Sequence, residues 1–437
     1  MKKISILGLY CVLAIFSLCT CSKDHMPYSN SPAEDAQQIE NIPIEDALSS
    51  LDRCLSHLYG PQTRAVAKVY DRSRIGIVGR SDIFGPVTKS DCGTEIPDTL
   101  LYVVNFENDN GYAVLSANTI LSESIFCITE RGNMALDSNV LIVDLPPNIG
   151  GNATRIVEDD REMTEEEIEA DTLYIAGLSP EEAGTTIQQL IISRIIVDIY
   201  NNDNSQVKPA EDVVNRPSTG PATNKYGPYL NTKWGQEEPF NKIFINNDDK
   251  PYPMGCVAIA TGQIMVCNKY SSTMTFNGVE CSWDDLESVW HYTTLNDYTN
   301  DNADYQATNF VYELGKKYNL NINYDLDGSG AKPKNVKRTL KNFGYRNAKL
   351  HCGFGENNQG KAISQLKNGY PVFLSGNRSN TKGHAWVLDG YYYDLYNSLF
   401  HVNWGWYGLA DGYYACGLFD TSSRSDTDDE IDKNTGG

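Results

Sequence analysis

At 437 residues with 41% hydrophobic side chains, the chain is long enough for two or three folded units and apolar enough to give each a core. A formal charge of −21 and a pI near 4.7 exclude a general phosphate-backbone binder, which needs clustered Lys and Arg, so no nucleic-acid partner is expected.

The chain opens with Met1-Lys2-Lys3 and an apolar run from Ile4 to Leu18, the basic and hydrophobic regions of a secretory signal, and this run is too short for a membrane span. Leu18-Cys19-Thr20-Cys21 resembles a bacterial lipobox, so residues 1–20 are read as a lipoprotein signal peptide and Cys21 as the lipid attachment site; ordinary signal cleavage is the competing reading. The expected location is exported, on the outer membrane or cell surface, held only by that N-terminal lipid or released after processing. Eleven cysteines are present. Removing Cys11 and Cys19 with the signal and Cys21 to lipid leaves eight, and a free Cys256 leaves an odd number, so the chain is not a disulfide-stapled scaffold.

Ala47, Leu48, Leu51, Leu55 and Leu58 recur at helical spacing. Leu100 to Phe106, an Asn108-Asp109-Asn110-Gly111 turn and Tyr112 to Ser116 form a predicted β-hairpin, because Asn-Gly accepts positive φ, and Ser124 to Ile128 supplies a third strand. Between Glu158 and Glu182 stand eleven acids and one base, Arg161, without the spacing of a cation loop, which reads as a solvated segment. Ser179-Pro180-Glu181-Glu182 is a capping box that opens a helix running to Tyr200 with Ile187, Leu190, Ile191, Ile195 and Ile199 on its buried side. A polar, breaker-rich linker follows, placing a boundary at 201–225 and exposing a segment a protease would cut.

Beyond it, Gly255-Cys256 begins a predicted helix whose N-terminal dipole favours a thiolate and so lowers the thiol pKa. Gln236 lies twenty residues upstream, where a side-chain amide can donate to an oxyanion alongside the Cys256 amide. Helices are expected over Thr308 to Lys317 and Lys334 to Phe343. Strands are expected over 369–375, 383–391 and 399–406, the last two antiparallel, so that His384 at the start of one and Asn403 at the end of the next share a sheet end. There His384 can take the thiol proton, with Asn403 or Trp404 fixing its ring.

Trp234-Gly235-Gln236 with Pro239-Phe240-Asn241, Gly255-Cys256-Val257-Ala258 to Gln263-Ile264-Met265, Gly328-Ser329-Gly330-Ala331, Gly383-His384-Ala385-Trp386 with Asp389-Gly390, and Asn403-Trp404-Gly405-Trp406 together resemble the streptopain family of bacterial cysteine peptidases, in family order. The resemblance implies an α+β fold with a papain-like catalytic domain over 226–437. It implies Cys256 as nucleophile, His384 as general base then acid, Gln236 in the oxyanion hole, Asn403 and Trp404 supporting the histidine, and Ser329 and Gly383 lining the substrate cleft. Residues 21–200, with Gly111 to Ser116, are similar to the inhibitory propeptide of that family, which implies a zymogen acting as a monomer on protein or peptide substrates, with no metal and no organic cofactor. Two departures stand out: a short loop before Trp283-Asp284-Asp285, and an acidic ending at Asp426 to Glu430 in place of the Gly-rich loop and final strand expected after Trp406. Two other functions fit the same residues: an acyl-transfer hydrolase acting on cell-wall peptide, and a degenerate surface adhesin or inhibitor.

Overall fold

The computed structural model describes residues 5–8, 39–60, 68–84, 96–134, 175–176, 183–201, 224–243, 250–271, 274–289, 301–351, 353–377 and 383–419. Cys21, most of the acidic run, the linker over 202–223 and the Asp426 to Glu430 ending lie outside them.

The first half contributes β1 (Ser5–Gly8), α1 (Ile44–Tyr59), β2 (Gly76–Gly79), α2 (Arg80–Phe84), β3 (Thr99–Asn105), β4 (Tyr112–Ser116), β5 (Ile125–Thr129), β6 (Ile175–Ala176) and α3 (Ala183–Asn201). In α1, Glu45 and Asp46 in the first turn complement the dipole, and the chain leaves through Gly60 at φ 72°. Its buried stripe is the one read from the sequence: Ala47, Leu48, Leu51, Leu55 and Leu58, with Cys54 added. Each fully buried leucine is worth about 1.5–3 kcal/mol over an exposed one. The predicted hairpin forms between β3 and β4, with Val103 opposite Val114, and Gly111 supplies the positive φ of 95° at its turn. Ile187, Ile191, Ile195 and Ile199 of α3 are buried.

The second half adds β7 (Asn224–Tyr226), α4 (Cys256–Asn268), β8 (Thr275–Phe276), β9 (Val279–Glu280), α5 (Trp283–Ser288), α6 (Asp301–Gly315), β10 (Gly330–Ala331), α7 (Lys334–Asn342), β11 (Lys349–His351), α8 (Glu356–Lys367), β12 (Val372–Asn377), β13 (Gly383–Tyr393), β14 (Ser398–Asn403) and β15 (Gly412–Ala415). Helices packed against both faces of a mainly antiparallel sheet, α4 on the Ala385 and Val387 side and α1, α3 and α8 on the Trp386 and Leu388 side, make this an α+β fold, as expected. Helix α4 is buried on every side, packing on β13 and α6, and ends where Lys269 turns left-handed at φ 46°.

One sheet runs through both halves in the order β11, β1, β12, β13, β14, β15, β5, β4, β3, β2, with β7 on β13; β1, paired to both β11 and β12, falls within residues 1–20, so this placement is at odds with the reading of that stretch as a removed signal peptide. The seam is β15 on β5, antiparallel, with Tyr413 opposite Ile128. The expected missing final strand is therefore present as β15. Its four residues, Gly412-Tyr413-Tyr414-Ala415, are too few to show alternation, and tertiary pairing on both edges makes them a strand. Hydrophobic packing is also continuous: Leu48, Leu51 and Ile195 of the first half share a core with Trp404, Tyr413 and Phe419 of the second, while α4 anchors a separate core with Trp234 and Phe310.

Candidate active site

Cys256 is the first residue of α4, as the sequence predicts, and Gly255 before it sits at φ 84°. A Cβ on Gly255 would stand 2.8 Å from the Ser329 carbonyl oxygen, so both backbone conformation and close approach require glycine there. That approach brings Ser329, which is fully buried and bonds through its hydroxyl to the backbone of Asp325, beside the Gly255-Cys256 helix start.

The Cys256 thiol departs from the expected low pKa. Burial pushes it up to about 12, against the pull of backbone N–H groups from Ala385, Val257 and Cys256 itself. The helix dipole acts within the first turn, but here it acts on a sulfur with only 2% of its residue exposed. The Ala385 amide matters for a second reason: it belongs to the residue after His384, so β13 delivers the histidine to the thiol.

His384 is 3% exposed and donates from Nε2 to the Trp404 carbonyl oxygen at 2.7 Å. With that N–H committed, a neutral imidazole keeps Nδ1 as its basic nitrogen. Trp406 stacks on the ring at 4.5 Å between centroids and 20° between planes, and Trp404 and Trp386 follow at 6.1 and 6.2 Å. Trp404 thus supports the histidine through its backbone. Asn403 acts one step back: its Oδ1 accepts from the Gly405 N–H at 3.0 Å and its Nδ2 donates to the Thr232 carbonyl at 3.0 Å. The Gly405 N–H belongs to the same peptide plane as the Trp404 carbonyl, so Asn403 orients the group that orients His384.

Gln236 is buried, and its carbonyl accepts from the Met254 N–H at 2.7 Å, tying its segment to the loop just before Cys256. Tyr407, left-handed at φ 56°, holds the same segment from the other side: its N–H donates to the Trp234 carbonyl at 3.2 Å, and its hydroxyl accepts from Glu237 N–H at 2.9 Å and donates to the Glu238 carbonyl at 3.0 Å. Gly383 opens β13, opposite Asn377. Strand β10 follows Ser329 and pairs antiparallel with β6 of the first half, Gly330 opposite Ala176, while β6 also lies against β12 and β13.

A buried charge cluster joins the halves nearby. His401 bonds Asp389 at 2.6 Å through Nδ1 and Glu130 at 3.1 Å through Nε2; Lys233 reaches Glu130 at 2.9 Å and Asp411 at 3.2 Å; Asp411 accepts the Trp404 N–H at 2.8 Å. Burial alone would push His401 down, but Asp389 and Glu130 override it and raise its pKa to about 9. Burial would likewise raise Glu130, yet His401 and Lys233 hold it well below the usual carboxylate range.

Sequence reasoning missed Trp406, Tyr407, Asp411 and Gln263. Trp406 and Gln263 fell inside the recognised blocks without a role, the partners of Tyr407 are remote in sequence, and Asp411 joins the nearby Trp404 N–H to the remote Lys233.

Residues 234–414 match the model of the Peptidase C10 family. Among curated proteins, the thiol protease/hemagglutinin PrtT of Porphyromonas gingivalis is 26% identical over 210 residues, covering 44% of this chain and 23% of its own length. Streptopain of Streptococcus pyogenes serotype M1 is 28% identical over 181 residues, covering 37% and 44%. The matches thus take in less than half of each relative's length. Among solved structures, a prointerpain A fragment from Prevotella intermedia aligns with a TM-score of 0.43 at 20% identity, over 79% of this chain and 93% of that one. Active interpain A from the same organism aligns with a TM-score of 0.34 at 26% identity, over 46% and 89%.

Proposed function

We propose, on the premise that residues 234–414 are a streptopain-family (Peptidase C10) cysteine peptidase region, that the chain is an exported endopeptidase made as a zymogen and working through a Cys256–His384 dyad. The observation that carries the dyad is the Ala385 amide on the Cys256 sulfur combined with the His384 Nε2 bond to the Trp404 carbonyl. His384 Nδ1 takes the thiol proton as sulfur attacks the peptide carbonyl carbon; the Cys256 amide and Gln236 receive the oxyanion. Collapse breaks the C–N bond, His384 returns the proton to the leaving amine, and water then cleaves the thioester with His384 as base.

Latency has its own support. The pairing of β6 with β10 lays first-half backbone along the strand that follows Ser329, and the thiol is buried with its pKa raised. In this reading residues 21–200 are the intramolecular inhibitor, the linker over 201–225 is the cut site, 226–437 is the released peptidase, and Cys21 carries the lipid. Incubating the intact and the linker-cut chain with an epoxide thiol trap and casein tests the whole. Labelling and casein hydrolysis are expected after the cut and absent in Cys256→Ala; labelling that survives Cys256→Ala rejects the nucleophile, and equal labelling before the cut rejects the zymogen. Loss of fatty-acid incorporation in Cys21→Ala is expected if that residue is the anchor.

A further inference from the structure

Gln263 stands two turns along α4 from Cys256, in a helix whose other residues before its last, Asn268, are apolar or small, and it is fully buried. A buried primary amide is retained only where its donors and acceptors are met, because an unmet one costs about 1–3 kcal/mol. Its Oε1 accepts from Thr232 Oγ1 at 2.9 Å and from the Trp234 N–H at 3.2 Å, and its Nε2 donates to Asn403 Oδ1 at 2.9 Å. Thr232 and Trp234 lead directly to Gln236. Asn403 holds the Trp404–Gly405 peptide whose carbonyl fixes His384. Three segments with separate parts in the reaction therefore meet at one side chain: the nucleophile helix, the oxyanion segment and the histidine-supporting loop.

We propose that Gln263 is a positioning residue for the reaction, setting the oxyanion segment and the His384 support in register with the Cys256 helix. Apolar packing holds α4 in place but has no direction; the three hydrogen bonds do. No other side chain of that size meets the pattern. Methionine fills the volume but leaves the Thr232 hydroxyl and the Trp234 N–H without their acceptor and Asn403 Oδ1 with the Gly405 N–H alone. A carboxylate accepts from Thr232 and Trp234 but sets a negative oxygen against Asn403 Oδ1, and only its protonated form, which can donate, restores the set.

The inference rests on the Cys256–His384 reading, and its test separates the two. Linker-cut wild type, Gln263→Met and Gln263→Glu are compared for epoxide labelling, kcat and KM on a peptide amide, the pH profile and Tm. A positioning role predicts a kcat loss of about 10²-fold in Gln263→Met with KM nearly unchanged, since misplacement of about 1 Å costs that much. It also predicts that Gln263→Glu recovers towards wild type as the pH falls, while Gln263→Met does not. A lowered Tm with unchanged kcat and no acid rescue reduces Gln263 to a structural residue and overturns the proposal. If Gln263→Met does not fold, Thr232→Val removes a single donor from Oε1, and an unchanged kcat there overturns the proposal equally. Failure of the dyad reading shows differently, as a wild-type chain that labels no faster than Cys256→Ala.

Discussion

The Trp404 carbonyl accepts the Nε2 proton of His384 at 2.7 Å, so the orientation of the histidine is set by backbone, which no side-chain substitution at Trp404 removes. Asn403→Ala therefore acts at one remove. It takes away the acceptor for Gly405 N–H and the donor to the Thr232 carbonyl while leaving the His384 bond itself, and kcat is expected to fall by about 10-fold or somewhat more, short of abolition. Steady-state kinetics of the linker-cut variant check this.

Burial that raises the Cys256 thiol to about 12 makes a definite claim on reactivity. In the intact chain, iodoacetamide should modify Cys256 at least about 10-fold more slowly at about pH 7 than in the linker-cut chain, and the intact rate should climb only as the medium becomes strongly alkaline. Mass spectrometry of the peptide containing Cys256 gives both rates.

Glu130 crosses from the first half to His401 and Lys233 of the second, and removing it leaves each cation with one carboxylate partner in place of two, Asp389 for His401 and Asp411 for Lys233. Its side chain is 29% exposed, which tempers the penalty, and Glu130→Gln is expected to cost about 2 kcal/mol, below the figure for fully buried pairs. The pH dependence follows from the two shifts. His401 has its pKa raised from 6.5 to about 9, so its contribution is full below about pH 6.5 and is lost as the pH rises through 9. Glu130 is depressed from 4.5, so its contribution is present above about pH 4.5 and is lost below it. Melting curves in the Cys256→Ala background should fall on both flanks, and Glu130→Gln should remove Glu130's share of the acid flank while only reducing the alkaline one, which Asp389 still sustains.

Gly235 lies under the ring of Tyr407, where an added Cβ would come within 2.1 Å of Cε2. Gly235→Ala forces the ring or the Gln236 segment to move. A destabilisation of about 1–3 kcal/mol is expected in urea unfolding, with a loss of kcat larger than that of Tyr407→Phe, which keeps the ring and loses only the hydroxyl bonds to Glu237 and Glu238.

Much of this could be read from residue order alone, where the physics is local. The leucine stripe of α1, the Asn-Gly hairpin and the Gly255-Cys256 helix start are short-range patterns, and each forms as expected. The nearness of His384 and Asn403 followed from two antiparallel runs, again a local inference. What escaped it is long-range or carried by backbone. Glu130 and His401 are 271 positions apart, and nothing near either one announces a partner. The support of His384 by a carbonyl is invisible to residue type, since every residue has one. The raised thiol pKa of Cys256 depends on how thoroughly distant segments bury it, and that overrode the dipole argument.

If the chain matures by the proposed linker cut, the pairing of β15 with β5 has a consequence for it. Cutting the linker severs a covalent connection but leaves Gly412, Tyr413 and Tyr414 paired to Thr129, Ile128 and Cys127, with a common core behind them. The nicked product is then a two-fragment complex, governed by mass action: at high concentration the pieces stay together, and on dilution they part. Fragments already shed would rebind and inhibit in trans, so the amount of working enzyme would follow total concentration and the later destruction of the first fragment as much as the extent of cleavage.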